Sequence, residues 1–319
     1  MELTSPEDMD IRLKQLSYSS LLTLHSCPRK YQLYKLQSKQ MEGLADNQSD
    51  LTFSFGHAVG EGIQEILQGK SEEEVIWNLY LQWDVELFEV NEKQNKSFWL
   101  ALYAIQKFAA MHKAGFLNEY ELAYFKDKDG NTRPAVELGF RIVFPNGFVF
   151  RGFVDAVLRH KISGAIKVLE IKTTSDNNLA DAKFKNSAQA IGYSVVLDNI
   201  FTGLSDYSVI YLPYKTKERE FEVMEHQKTI LMRAQWIQEL LLDIDTIILY
   251  ENTGIYPMRG ESCFSWNREC EYFNLCTLST DRLTKPIDAE MIEKIESEGE
   301  RFDFNLTLLD LLNQQLENV

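Results

Sequence analysis

Three charged residues interrupt two short segments whose other residues suit burial in a β-sheet. Asp155 lies in the run FVFRGFVDAVLR (148–159), and Glu170 and Lys172 lie in the run KVLEIKT (167–173). A buried charge costs several kcal/mol unless it is paired or bound to a metal ion. Two close carboxylates repel each other, so they form a natural site for a hard divalent cation such as Mg2+ or Mn2+. A lysine beside that cation could orient a nucleophile or neutralise a phosphate during phosphodiester hydrolysis.

The spacing of these residues predicts that their side chains share one face of a sheet. Alternate residues of a strand point to the same face, which places Glu170 and Lys172 about 6 to 7 Å apart. A hairpin centred between Ile162 and Ser163 would place Asp155 opposite Glu170, although a longer loop could shift this register. The alternative to a catalytic site is a structural ion pair at a sheet edge.

Hydrophobic periodicity predicts the elements that must position the three residues. The predicted elements are, in chain order, a helical region (17–125), a three-stranded meander (135–173), a helix (187–199), a strand (207–212) and a long amphipathic helix (225–251). Turn residues at 145–147 and 163–164 separate the strands of the meander. This order predicts an α/β fold with a mixed central sheet flanked by helices and preceded by a helical region.

The domain organisation is predicted to be simple, because no repeat and no linker rich in Pro, Gly or Ser divides the chain. We expect one composite domain over residues 1–319. Its predicted parts are a helical region (11–134), a catalytic sheet core (135–215), a helix with a C-terminal cysteine cluster (216–280) and an acidic helical tail (281–319).

The composition indicates a soluble globular protein. Hydrophobic residues make up 45% of the chain and charged residues 25%, with 16 Gly and 7 Pro, which excludes disordered, collagen-like and low-complexity classes. The sequence contains no apolar run of the roughly 18 residues that a membrane span needs, and residues 1–10 are acidic and polar, unlike a secretory signal. We therefore expect a cytoplasmic protein with no membrane partner.

The charge distribution limits how the protein could bind nucleic acid. With 33 Lys and Arg against 48 Asp and Glu, the net charge of −15 argues against binding by the whole surface. The segment 11–40 nevertheless contains no acidic residue, and we interpret it as the candidate DNA-binding surface. Its basic residues are Arg12, Lys14, Arg29, Lys30, Lys35 and Lys39. The alternative is that these side chains neutralise acidic helices at 72–92.

The four cysteines suggest a second cofactor. Cys27 is isolated, whereas Cys263, Cys270 and Cys276 cluster in CFSWNRECEYFNLC. A disulfide framework is implausible in a long chain with few cysteines, and zinc sites usually contain two close C-x-x-C pairs, which are absent. Four thiolates suit a [4Fe-4S] cluster, while zinc in the same ligands or four unrelated buried thiols are the alternatives.

The motifs in this order resemble those of the PD-(D/E)XK nuclease superfamily. Asp155 followed by Glu170-Ile171-Lys172 resembles its D…ExK core. Gly56-His57, which we predict to open a helix, and Gln189-Ala190-Ile191-Gly192-Tyr193 resemble the additional His and Q-x-x-x-Y motifs of the RecB-like branch, over residues 17–277.

The resemblance implies a restriction-endonuclease-like fold and assigns roles to the matching residues. It implies that His57, Asp155 and Glu170 are metal ligands, that Lys172 is the catalytic lysine, and that Gln189 and Tyr193 support the site or contact DNA. In isolation, His57 could be an ordinary helix-start histidine, and Gln189 and Tyr193 an ordinary i, i+4 pair. Glu137 is either a further site acid or a surface acid on an edge strand.

The cysteine pattern resembles the iron–sulfur subgroup of this family, which includes CRISPR-adaptation nucleases and helicase–nuclease subunits. Cys27 precedes Pro28-Arg29-Lys30-Tyr31, and the other three cysteines lie near the C-terminus. The resemblance implies an iron–sulfur clasp that joins the two ends of the domain. One departure is Asn267, which stands where some relatives have a closer cysteine.

Together these observations predict a metal-dependent DNA exonuclease, similar to phage-type exonucleases, that hydrolyses phosphodiester bonds at DNA ends or in single strands. The alternatives are an endonuclease or CRISPR-adaptation end-trimming nuclease with the same site, and a non-catalytic module that binds DNA ends or a protein partner. The chain contains no G-x-x-x-x-G-K-[ST] motif. Any unwinding would therefore come from a partner, such as a helicase or a recombination or CRISPR-adaptation protein.

Overall fold

A computed structural model describes most of the chain. The described residues are 8–36, 51–88, 95–127, 129–176, 178–201, 207–265, 268–278, 284 and 286–304. The helices are α1 (Tyr18–Ser26), α2 (Pro28–Lys35), α3 (Leu51–Leu67), α4 (Glu72–Gln82), α5 (Phe98–Lys113), α6 (Asp181–Lys185), α7 (Ala188–Ile200), α8 (Ile230–Thr253) and α9 (Ala289–Ser297).

The strands form a mixed set with parallel and antiparallel neighbours. They are β1 (Gln15–Leu16), β2 (Tyr120–Leu122), β3 (Tyr124–Lys126), β4 (Thr132–Pro134), β5 (Val136–Val143), β6 (Val149–His160), β7 (Ile166–Thr174), β8 (Tyr207–Lys215), β9 (Glu220–Phe221), β10 (Met224–Lys228), β11 (Phe264–Ser265), β12 (Arg268–Glu269) and β13 (Glu300–Asp303).

The chain divides into two compact units. The first contains residues 1–47, 139–152 and 234–313, and the second contains residues 48–138, 153–233 and 314–319. The expectation of one composite domain, with the internal boundaries given above, remains a prediction.

The second unit contains a mixed sheet covered by helices. Strands β10, β8, β7 and the C-terminal part of β6 are neighbours in that order, with β8 parallel to β7 and the other two pairs antiparallel. Helix α3 contributes buried Phe55, Val59 and Ile63 to the same core as Leu169 and Ile171 of β7. The mixed α/β fold predicted from the sequence is therefore confirmed.

Alternation along β7 separates this core from the charged residues. Because side chains of a strand point alternately to opposite faces, Leu169 and Ile171 pack beneath α3 while Glu170 and Lys172 face the other way. Helix α7 lies over that second face, since Gln189 at its first turn contacts Lys172. A charged pair is thus held in an otherwise apolar strand.

The first unit contains short strands and the helices α1, α2 and the greater part of α8. Strand β1 pairs in parallel with the start of β6, and β13 pairs in parallel with β5. The turn predicted at 145–147 joins β5 to β6, with Phe144 N donating to Phe148 O at 2.8 Å and Gly147 at a φ of 79°. The predicted helical tail contains strand β13 as well as α9, and its residues 305–319 lie outside the described part.

In the described part of the chain, no helix is long and apolar enough to cross a membrane.

Candidate active site

The hairpin of β6 and β7 places Asp155 and Glu170 at facing positions. Ala156 pairs with Leu169, so Asp155 and Glu170 form the next facing pair along the two antiparallel strands. His160 N donates to Ala165 O at 2.8 Å and Gly164 has a φ of 71°, so a four-residue loop closes the hairpin. This loop is centred between residues 162 and 163, and the predicted register is confirmed although the turn is longer than two residues.

Glu170 is almost completely buried and is paired with Lys172. Lys172 Nζ lies 2.5 Å from Glu170 Oε1, and the two side chains are 40% and 1% exposed. The pKa of Glu170 is raised overall. Burial is the largest cause and the charge of Glu137 adds to it, while the charge of Lys172 and the polar contacts with Lys172 and Tyr193 act in the opposite direction. The lysine therefore places a partly exposed cation over a buried anion.

Asp155 is half-buried and is held by the backbone of the neighbouring strand. Its Oδ2 accepts a hydrogen bond from Ile171 N at 2.7 Å. Burial and then the charge of Glu170 raise the pKa of Asp155 well above its usual value, against the opposing effects of Lys172 and the Ile171 amide. One ammonium group thus faces two carboxylates that repel each other.

Helix α7 completes the site with a chain of hydrogen bonds. Lys172 Nζ donates to Gln189 Oε1 at 3.2 Å, and Gln189 Nε2 donates to Tyr193 OH at 2.5 Å. The Tyr193 hydroxyl lies near Glu170, whose charge, after burial, raises the pKa of the phenol. Because Gln189 and Tyr193 are separated by four residues, one helix face presents both groups to the ExK strand. Their i, i+4 spacing therefore holds Lys172 through Gln189 and places Tyr193 beside Glu170.

Glu137 is a further carboxylate close enough for its charge to act on the site. It raises the pKa of both Asp155 and Glu170. Its backbone has a φ of 45°, which is uncommon for a residue other than glycine, and its Oε1 accepts a hydrogen bond from Gln64 Nε2 at 2.8 Å. Gln64 carried no sequence signal, since only the packing of α3 against β5 brings it to Glu137.

His57 lies within α3, and the structure corrects the prediction that it opens a helix. The helix begins at Leu51, so His57 is in its second turn. Gly56 is used for close packing, since a β-carbon there would lie 3.3 Å from Thr173 Oγ1 of β7. His57 Nε2 lies 3.6 Å from Glu61 Oε2, and the histidine side chain is 65% exposed.

The carboxylates of this site suit a divalent cation whose remaining ligands are water molecules and substrate oxygens. Among the described residues, no group of three or more His, Cys, Asp or Glu side chains forms a ready-made metal site. Mg2+ is commonly held by one or two carboxylates together with water and substrate phosphates. Asp155 and Glu170 supply two carboxylates whose repulsion Lys172 only partly offsets, so the residues fit such an ion.

The four cysteines lie in the first unit and approach one another. Cys27 is the junction between α1 and α2, and Cys270 N donates to Cys263 O at 2.8 Å across the β11–β12 hairpin. Burial raises the pKa of Cys276, as do the charges of Cys270, Cys27 and Cys263. The structure therefore brings together thiols that are up to 249 residues apart in the sequence, although they form no ready-made site.

Arg29 connects the two segments that carry these cysteines, a role the sequence analysis missed. It follows Cys27 by two residues and is 8% exposed. Its Nε donates to Cys276 O at 3.1 Å and its Nη2 to Leu278 O at 2.7 Å, while its backbone N donates to Pro257 O. Its position in the CPRK motif was the only available signal.

The basic segment 11–40 does not form the surface predicted for DNA, because its described cations contact protein groups. Arg12 pairs with Asp10, Lys30 Nζ lies 3.1 Å from Glu271 Oε1, and the buried Lys35 ammonium donates to the Gln15 carbonyl. Lys39, like Asn267 of the cysteine cluster, lies outside the described residues. Neutralisation of local protein groups therefore explains these charges better than a phosphate-binding patch, and the partners are not the acidic helices at 72–92 that the alternative named.

Comparison with known proteins gives a family match and a set of distantly similar solved structures. The profile of the PD-(D/E)XK nuclease superfamily matches residues 15–277. No curated protein matches the chain. A solved candidate exonuclease from Eubacterium rectale is 14% identical, with 93% of this chain and 99% of that chain covered and a TM-score of 0.46. The structure of SSO0001 is 16% identical, with 68% and 85% covered and a TM-score of 0.27.

Proposed function

The chain belongs to the PD-(D/E)XK nuclease superfamily, and on that premise we propose that it is a divalent-metal-dependent deoxyribonuclease that acts as an exonuclease on DNA ends or single strands. The observation that carries the proposal is the facing pair of Asp155 and Glu170 with Lys172 Nζ 2.5 Å from Glu170 Oε1. A carboxylate pair on neighbouring strands beside a partly exposed lysine suits phosphodiester hydrolysis better than a purely structural role.

Each residue of the site has a proposed part in the reaction. Asp155 and Glu170 would hold a Mg2+ or Mn2+ ion. His57 stays a proposed third ligand, although the described residues do not group it with the two carboxylates and its imidazole is approached by Glu61. Such an ion activates water and offsets the charge that develops on the phosphate. Lys172 would contact the attacking water or the scissile phosphate through its exposed ammonium.

Gln189 and Tyr193 would act by keeping Lys172 and Glu170 in place. The amide of Gln189 accepts from Lys172 and donates to Tyr193, so Lys172 cannot rotate away from Glu170 without breaking a hydrogen bond. Pre-organised polar groups contribute to catalysis because they need not reorient when charge develops. Contact of either residue with DNA would be additional to this positioning role.

We further propose that Cys27, Cys263, Cys270 and Cys276 hold a [4Fe-4S] cluster, as in the RecB-like iron–sulfur branch. Support comes from the mutual approach of four thiols whose charges raise the pKa of Cys276, since binding iron would relieve that repulsion. The cluster would join chain segments near both termini. Zinc in the same ligands is the competing assignment.

A cleavage assay on four DNA forms tests the proposed activity. Linear and circular DNA, each single and double stranded and with labelled ends where ends exist, are incubated with Mg2+, Mn2+ or EDTA. We expect metal-dependent release of nucleotides or short fragments from linear DNA, with circles intact. Cleavage of circles would instead indicate an endonuclease, and trimming confined to short overhangs would indicate an end-trimming enzyme.

Binding of DNA without cleavage of any form would identify a non-catalytic module. No cleavage and no binding would contradict the proposal entirely. Addition of a helicase partner would test whether double-stranded DNA becomes a substrate only after unwinding.

A further inference from the structure

Lys228 is a buried lysine whose ammonium group faces no carboxylate. It is the last residue of β10, pairs with Tyr207 of β8 and is 1% exposed. Burial is the cause that lowers the pKa of Lys228 to about 8, and no Asp or Glu side chain of the described ranges forms an ion pair with it. A buried charge without a charged partner lowers stability. The contacts of the ammonium group therefore indicate what this lysine does.

The Lys228 ammonium binds the carboxyl end of the short helix α6. Its Nζ donates to Phe184 O at 2.8 Å and to Lys185 O at 2.5 Å, which belong to the last two residues of that helix. Carbonyl groups at the end of a helix lack partners within the helix, and a lysine can supply the missing donors. The ammonium also lies 5.6 Å from the centre of the Tyr211 ring. Two carbonyl groups and one ring face thus take the place of a carboxylate.

Helix α6 is held to the sheet mainly by its contacts with β10. None of its five residues (181–185) is buried. At its first residue, Asp181 Oδ1 lies 3.1 Å from His226 Nε2 of β10, but the Asp181 side chain is 70% exposed, and exposed ion pairs contribute little to stability. At its last two residues, the carbonyl groups bind the buried Lys228. The position of α6 therefore depends on this lysine more than on apolar packing.

The end of α6 leads directly into the helix that completes the active site. Phe184 O also accepts a hydrogen bond from Ser187 N at 3.2 Å, and Ser187 is the residue that precedes α7. The Ser187 side chain makes no capping hydrogen bond, so the backbone of this junction fixes the start of α7. Gln189, the second residue of α7, accepts from Lys172 Nζ at 3.2 Å. A continuous path of contacts therefore connects Lys228 to Lys172.

The register of the sheet places this path on the face that carries the catalytic residues. Tyr211 pairs with Glu170 across the parallel strands β8 and β7, and such paired residues point to the same face. The Tyr211 ring contacts the Phe184 ring, with centroids 5.0 Å apart, as well as the Lys228 ammonium. Leu212, which follows Tyr211, lies in the core on the opposite face with α3. Lys228 and α6 are thus on the Glu170 side of the sheet.

We propose that Lys228 is a positioning residue of the nuclease site, which holds the α6–α7 junction and thereby the Gln189 amide that orients Lys172. This inference rests on the proposed nuclease function and adds to it a residue that touches neither DNA nor metal. Without the ammonium, α6 loses its buried contact with β10, so Gln189 is no longer fixed against Lys172. Lys172 is then less often aligned with the scissile phosphate, which lowers kcat, whereas DNA outside the site is bound as before.

The test is a double-mutant cycle of Lys228→Met and Gln189→Ala in the full chain, with Mg2+ and the linear DNA that the wild type cleaves. Methionine is a long, unbranched side chain that cannot donate a hydrogen bond. We expect Lys228→Met to lower kcat about 10-fold and to change KM less than about 2-fold. In the Gln189→Ala background the same change should lower kcat by less than about 2-fold, because both residues act through one path. Lys228→Arg, which keeps the charge and the donors, should recover part of kcat.

Lys35→Met is the matched control for the loss of a buried lysine. The Lys35 ammonium also donates to a backbone carbonyl, that of Gln15, but its contacts are with residues of the first unit. Lys35→Met should therefore leave kcat unchanged whatever its effect on the melting temperature. If Lys228→Met melts far below the wild type, Lys228→Gln, which keeps an amide donor for the two carbonyl groups, is measured in the same cycle and is judged by the same outcomes.

Three results would overturn the positioning role alone, since the wild type cleaves DNA in each of them. They are full kcat in Lys228→Met, a loss that appears in KM instead of kcat, and additive losses in the cycle with Gln189→Ala. Absence of cleavage by the wild type would overturn the nuclease proposal and this inference together.

Discussion

Asp155 accepts a hydrogen bond from the backbone amide of Ile171 at 2.7 Å, so one carboxylate of the proposed metal site is fastened to the residue between Glu170 and Lys172. The contact crosses from β6 to β7 and makes the position of Asp155 depend on the hairpin register. A one-residue slip would turn every side chain of one strand to the opposite face and would separate the two carboxylates.

Asp155→Asn is expected to abolish cleavage while preserving the fold. The asparagine can still accept a hydrogen bond from the Ile171 amide, but it lacks the negative charge with which the carboxylate binds a hard cation. We therefore expect kcat/KM to fall by at least about 100-fold. Glu121→Gln, at an exposed residue on β2, is a control that should retain activity.

Thermal melting in EDTA distinguishes a catalytic from a structural role for Asp155. Burial and the charge of Glu170 raise the pKa of Asp155, which means that the native fold disfavours its ionised form. Asp155→Asn should therefore melt at or above the wild-type temperature. A much lower melting temperature would assign Asp155 to a structural ion pair.

Tyr193→Phe should lower kcat without a large change in stability, because it removes the hydroxyl that accepts from Gln189 beside Glu170. Loss of one positioning hydrogen bond corresponds to a decrease of about 2- to 10-fold. Tyr214→Phe is the matched control, since the buried Tyr214 hydroxyl has no hydrogen-bond partner among the described residues and no residue of the site shifts its pKa. Equal effects of the two variants on kcat would remove the positioning role from Tyr193.

His57→Ala should weaken the use of Mn2+ more than that of Mg2+, because an imidazole ligand favours the softer ion. Activity is measured across titrations with each metal. Glu61→Gln, which removes the charge beside the imidazole but no proposed ligand, should change the metal preference less than His57→Ala. Identical titration curves for wild type and His57→Ala would show that His57 is not a ligand.

Protein purified without oxygen should be brown and contain about four irons per chain if the cysteines hold a cluster. Arg29→Lys keeps the charge but loses the donors that reach Cys276 O and Leu278 O, so it should lower the free energy of unfolding by about 2 kcal/mol and reduce iron retention. Lys30→Arg at the exposed neighbouring pair is the control. Stoichiometric zinc without iron would reject the cluster.

Because of Lys35, the free energy of unfolding should increase as the pH rises above neutrality. Burial, assisted by the charge of Arg151, lowers the pKa of Lys35 to about 7 from its usual value of 10.5. Between these values the native protein binds fewer protons than the unfolded chain, so stability increases as pH rises through this window and is constant above it. Denaturation at several pH values should show this slope in the wild type but not in Lys35→Met.

The same variant tests the corrected interpretation of the basic segment. Since the Lys35 ammonium donates to the Gln15 carbonyl, Lys35→Met should leave the salt dependence of DNA binding unchanged. A shallower salt slope would return Lys35 to the DNA-binding surface.

The sequence by itself determined the parts of this protein that depend on local periodicity. Alternation in the runs around Asp155 and Glu170, with turn residues between them, was enough to predict the hairpin, its register and the shared face of the carboxylates. These are contacts between residues close in the chain, and a strand has one simple period, so pattern and geometry correspond directly.

Only the tertiary structure decided which groups complete and surround that face. The link from Gln189 and Tyr193 to the Lys172–Glu170 pair depends on how α7 packs over the sheet, and the approach of Glu137 depends on Gln64 of α3. The hydrogen bond of the Lys35 ammonium is made to the Gln15 carbonyl, 20 residues away in the sequence. A sequence pattern records charge and spacing, but it does not record which distant polar group will compensate a charge once the chain is packed.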